Sequence, residues 1–140
     1  MTDGEARACK PERNGVYRFP QDIGRLRAVV LGEGGMWRVV DLTGITDKQG
    51  LLGAIAQALQ FPGHFGSNWD ALADSLQDLS WLSWSALVIE ARGWNGFARA
   101  AADEAGTALD IARNAATYWA GRGKTFIVLL DQAPDLQSLT

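Results

Sequence analysis

Apolar and polar positions along the chain change period several times, and each change marks a structural element. "MWRVVDL" (36–42) is β-branched and aromatic and reads as a strand. "TDKQGLLGAIAQALQ" (46–60) then shifts to helical spacing, with Leu51, Leu52, Ile55 and Leu59 on one stripe and Thr46 or Asp47 as cap. Pro62 and Gly63 break the pattern in "FPGHFG" (61–66). "SNWDALADSLQDL" (67–79) resumes it, with Trp69, Leu72, Leu76 and Leu79 as the apolar face. "SALVIEA" (85–91) is a strand with an unbroken apolar centre, and "RGWNG" reads as a turn. The Ala-rich stretch 102–123 predicts a long helix stopped by Gly121 and Gly123, and "KTFIVLLD" (124–131) a last strand.

Ahead of these elements the pattern is weaker. "VYRF" (16–19) is a short strand candidate. In 21–35, Ile23, Leu26, Val30 and Leu31 fit a helix stopped by Gly32, Gly34 and Gly35, but "LRAVVL" fits a strand nearly as well. Residues 1–15 are charged and aperiodic and read as mobile. Strands that are apolar on both faces, alternating with helices, imply parallel strands covered by helices. The expected fold is α/β, a small three-stranded parallel sheet covered by helices, with the N-terminal segment on its edge or flank. The expected organisation is a flexible 1–15, an extension over 16–35 packed on the domain, and the domain proper over 36–140.

Composition narrows the functions. The chain has 140 residues, a fifth of them charged, and a net charge of −3. That suits one domain with a real core. It argues against direct nucleic-acid binding, which needs a basic patch, and leaves room for a basic protein partner. The N-terminus lacks the apolar core of a signal peptide, no run spans a membrane, and the lone Cys9 fits a reducing compartment. The expectation is therefore a cytoplasmic protein, monomeric when free, that needs no cofactor. One histidine and one cysteine make a zinc site unlikely to be assembled. "GEGG" (32–35) precedes a strand, and "GKT" (123–125) lacks the upstream glycine of a P-loop.

The informative stretch is "HFGSNWDALADSL" (64–76). Asp70 and Asp74 stand one helical turn apart on one face, where like charges repel by about 0.2–0.5 kcal/mol. Asp70 has a local reason to be there. It falls in the first helical turn, where a carboxylate meets the helix dipole favourably, and Ser67 or Asn68 would cap that turn. Asp74 has no such reason. Its neighbours one turn away are Asp70, Ala71, Gln77 and Asp78, with no cation among them. Asp70, Asp74 and Asp78 make an acidic stripe that reads equally as a solvated face or as a binding surface. An acid/base pair for hydrolysis is a remote reading, because such pairs come from different elements of a deep cleft. Gly63 and Gly66 would let the preceding loop approach a partner or take a positive φ.

"LQFPGHFGSNWDALADSLQDLSWL" (59–82) resembles the barstar family of ribonuclease inhibitors. The resemblance rests on Phe61-Pro62, the aromatic loop His64-Phe65, Gly66, Asn68, Asp70-Ala71-Leu72 and Asp74, and extends more weakly over 36–131. It implies a non-catalytic protein whose acidic helix and preceding loop plug a basic ribonuclease, with carboxylates imitating the RNA phosphate. Asp74 would be the main mimic and Asp70 its helper. Gly66, Asn68 and Phe65 would shape the loop. His64 stands where the best-known member has a stacking Tyr, Ala73 where it has an interface Trp, and Tyr118 where a rim Glu would fall. Trp81 or Trp84 would take over from the missing Trp. A module of the same fold for a non-nuclease partner or another toxin is the alternative.

Overall fold

The computed structural model describes residues 8–63 and 65–139. Four parallel strands form one sheet in the order β1-β4-β3-β2, with β1 Gly15–Arg18, β2 Met36–Asp41, β3 Ala86–Arg92 and β4 Thr125–Leu130. This is one strand more than the sequence pattern predicts. The additional strand is the short "VYRF" candidate, which pairs with β4 from Gly15↔Ile127 to Arg18↔Leu130.

The helices are α1 Ile23–Gly32, α2 Lys48–Ala58, α3 Trp69–Leu76, α4 Trp94–Ala100 and α5 Ala102–Ala120. Progress from β2 to β3 to β4 runs one way across the sheet, and α2 to α5 cover one face. The connection from β1 to β2 runs the opposite way, so a crossover of the same hand must place α1 on the other face. The two buried clusters record this division. Val40, Leu87, Ile89, Phe126, Val128 and Leu130 face α2 to α5. Trp37, Val88, Ile127 and Leu129 alternate with them and face α1 and Ala8. Strands buried on both faces explain the unbroken apolar runs of β3 and β4.

Several local details differ from the sequence reading. The ambiguous 21–35 stretch is a helix, because the Asp22 carboxylate accepts the Arg25 N–H at 3.0 Å and Gly34 ends it with φ of 84°. In "RGWNG" only the glycine turns; Trp94–Ala100 is helical. Gly93 has φ of 77°, and a Cβ there would lie 2.8 Å from Thr43 N, so no other residue fits without displacing backbone. The amides of Gly93 and Trp94 donate to the two oxygens of Asp131, both at 2.7 Å, so a carboxylate far along the chain caps this turn.

Residues 8–14 are also held in place. Asn14 Nδ2 donates to Ala116 O at 3.0 Å and Lys124 O at 2.8 Å, and its Oδ1 accepts Phe126 N–H at 2.8 Å. The side chain thus extends the β1–β4 ladder by one step. On the α1 face the buried Glu90 accepts Trp37 Nε1–H at 2.9 Å and pairs with Arg92 Nε at 2.6 Å, which raises the Arg92 pKa. Hydrogen bonds from Thr43 hold the Asp41 carboxyl below its usual range. No helix among the described residues is long and apolar enough to cross a membrane.

Candidate protein-binding face

Helix α3 and the loop before it form the candidate site. Asn68, in extended conformation, caps the helix: its Oδ1 accepts the Ala71 N–H at 2.7 Å, and its Nδ2 donates to Gly66 O at 3.3 Å. The cap is therefore Asn68 and not Ser67, and no Ser67–Asp70 capping box forms. Ser67 takes the left-handed conformation instead, with φ of 52°, while Gly63 and Gly66 have no positive φ. Gly66 is needed for space. A Cβ there would sit 3.2 Å from Asn68 Nδ2 and crowd the cap. Asn68→Ala should lower stability by about 1 kcal/mol, with Asn68→Asp near neutral, measured by urea unfolding. An unchanged midpoint for Asn68→Ala would show that the cap does not hold α3.

The helix is sharply two-sided. Leu72 and Leu76 are buried, while Asp70, Asp74 and Asp78 are exposed. Asp70 lies in the first turn, as the capping argument requires. Asp74 and Asp78 line a shallow groove of about 250 Å³ with Pro62, Phe65, Gly66, Ala71, Ser75 and Trp81. The groove brings together four of the residues expected from the sequence: Phe65, Gly66, Asp74 and Trp81. Asp70, Asn68, Ala73 and Tyr118 do not line it. His64 lies outside the described residues. Asp78 was visible in the sequence only as the end of the acidic stripe. Pro62 was visible there as a helix breaker and part of the loop motif, and Ser75 carried no signal.

An aromatic wall backs the groove. Phe65 meets Phe61 edge-to-face at 4.9 Å, and Phe61 meets Trp81 at 5.6 Å. Trp81 Nε1–H donates to Leu59 O at 2.9 Å, which fixes the indole at the groove wall. Trp69, on the other flank of α3, lies under Lys48 Nζ at 5.2 Å. Beyond the C-terminus of α3, buried Trp119 donates from Nε1 to Leu76 O at 2.7 Å. Tyr118, one residue earlier and about 100° round α5, is half-buried and rests on Trp119 with ring centroids 5.0 Å apart. Trp84 packs on the other side of Trp119 at 4.8 Å. Ala73 is half-buried and presents only a methyl group between the acidic positions.

Chemically, the face offers three carboxylates on one row and a shallow, mixed polar and aromatic recess beside two of them. Asp70 and Asp74 are both exposed, and of the two only Asp74 lines the groove among the described residues. Among the described residues no group of three or more His, Cys, Asp or Glu side chains could hold a metal ion.

Fold and face together define a parallel α/β domain that carries an acidic helix and an aromatic loop on one side of its layer. The family described as Barstar (barnase inhibitor) matches residues 36–131, and the chain belongs to the barstar family. The match begins at β2 and ends just after β4, so β1 and α1 lie ahead of it. A search of curated proteins finds no match.

Proposed function

We propose that the protein inhibits a basic microbial ribonuclease by inserting α3 and the preceding loop into its active site. The observation that carries this reading is the row Asp70, Asp74 and Asp78. It is exposed, mutually repulsive and without a cation at any position one turn from Asp74. A pocket of Arg, Lys and His that binds RNA phosphate would convert the repulsion into charge-assisted, often bidentate, hydrogen bonds. Asp74 occupies the centre of the row and the mouth of the groove, so it is the main phosphate mimic, with Asp70 as helper. Phe65, Gly66 and Asn68 hold the loop in shape, His64 contacts the partner, and Trp81 and Tyr118 form the rim. Ala73 leaves the middle of the helix without a large side chain.

The net charge of −3 supports fast encounter with a basic partner. The test is titration of RNA cleavage by a panel of small basic microbial ribonucleases with the purified protein. At least one enzyme should lose activity linearly to a 1:1 end point. If none is inhibited at micromolar protein, the inhibitor reading is overturned, and a non-nuclease partner for the same face takes its place.

A further inference from the structure

The turn that follows α5 carries a charge of the opposite sign to the acidic row. The Arg122 guanidinium carbon lies 3.8 Å from the centre of the Tyr118 ring. Tyr118 in turn rests edge-on against Trp119, whose Nε1–H reaches the Leu76 carbonyl at the end of α3. Arg122 is thus linked to the acidic helix through two rings. Arg122 is exposed, and no carboxylate pairs with it among the described residues. The neighbouring cation is differently placed: Lys124 Nζ donates to Trp84 O at 3.1 Å and lies 4.5 Å and 5.5 Å from the Trp84 and Trp119 rings.

A guanidinium laid on an aromatic ring keeps its in-plane N–H donors available and has already lost much of its rotamer freedom. That is the preparation a bidentate carboxylate receptor needs. A positive charge at a helix C-terminus also meets the dipole favourably, but that effect does not require the side chain to lie over Tyr118.

We infer that Tyr118 and Arg122 form a preorganised receptor for an Asp or Glu carboxylate on the rim of the partner protein, beside the basic pocket that takes the acidic helix. The binding face is therefore bipolar, and the partner it fits is a basic ribonuclease with an acidic residue next to its active site. This rests on the inhibitor reading. It adds a rule of specificity: basic ribonucleases without that rim carboxylate bind less tightly.

The sign of one substitution separates this receptor from general electrostatics. Arg122→Glu takes the net charge from −3 to −5. If only long-range steering mattered, a more acidic inhibitor would associate with a basic enzyme faster and bind it more tightly. A rim carboxylate opposite Arg122 predicts the reverse, a loss of about 10- to 100-fold in affinity from like charges brought together. Arg122→Lys, which keeps the charge and loses the fork, should lose about 3- to 10-fold.

The experiment measures the inhibition constant of these variants, with Asp74→Ala alongside, against the panel ribonuclease that wild type inhibits best. Circular dichroism checks that each variant is folded. Weaker inhibition by Arg122→Glu supports the receptor. Unchanged or tighter inhibition by Arg122→Glu, with Asp74→Ala still weakened, overturns the receptor and leaves the inhibitor reading standing. If wild type inhibits no enzyme of the panel, the inhibitor reading falls and the receptor with it.

Discussion

On the proposed inhibitor reading, Asp74→Ala weakens binding to the target ribonuclease by about 2–5 kcal/mol, because it would leave the partner's cation desolvated and unpaired at the centre of the interface. The loss falls mainly on the dissociation rate, since removing one of sixteen acidic residues changes long-range steering little. The same substitution has the opposite sign for the free protein. Asp74 is exposed on α3 between Asp70 and Asp78. Taking it away relieves like-charge repulsion, so stability stays level or rises by about 0.2–0.5 kcal/mol. Calorimetric titration and urea unfolding of one variant therefore read two effects of opposite direction. Equal affinity for wild type and Asp74→Ala would remove Asp74 from the interface. A marked loss of stability would show that the carboxylate has an unrecognised role within the fold.

Asn14→Ala lowers the unfolding free energy by about 3 kcal/mol. Its amide makes three hydrogen bonds to part-buried backbone, at 2.8–3.0 Å, and each contributes about 0.5–1.5 kcal/mol net. Alanine leaves the carbonyls of Ala116 and Lys124 and the amide of Phe126 without these partners. Asn14→Asp keeps the acceptor for Phe126 and loses both donors, so it falls between. Urea unfolding with a fixed m-value measures the difference. A loss under about 1 kcal/mol would mean that residues ahead of the family-matched segment only lie against the domain without stabilising it.

Much of the fold was legible because the signals are local. The apolar runs of β3 and β4, the stripe Leu51, Leu52 and Ile55, and the stop at Gly121 each follow from spacing within one element. The parts that were not legible depend on distant chain. Helix α4 has seven residues, with Asn and Gly among its first three, and its capping carboxylate is Asp131, contributed from beyond β4. Nothing within "RGWNG" announces that. Strand β1 is four residues long and becomes a strand through β4 and through Asn14, whose three partners all lie beyond residue 115. The site divides in the same way. The asymmetry between Asp70 and Asp74 is a property of one helix and could be read from neighbours one turn away. The groove needs Trp81 to fold back beside Phe61 and Phe65. The Arg122–Tyr118 stack needs the turn after α5. Neither is a spacing.

Asn14 and β1 also decide where the sheet ends. Thr125–Leu130 is six residues without charge, proline or glycine, all buried. As the last strand of a three-stranded sheet it would offer a row of free amides and carbonyls to any other chain, which is the template for edge-to-edge aggregation. With β1 on its flank it becomes an interior strand, and the edge passes to a short segment whose Arg18 is bridged in turn to Ser138 and donates its amide to Gln137 O at 3.1 Å. The segment ahead of the family-matched region thus acts as protection against self-association, sheltering the strand whose apolar edge would otherwise template pairing with another copy.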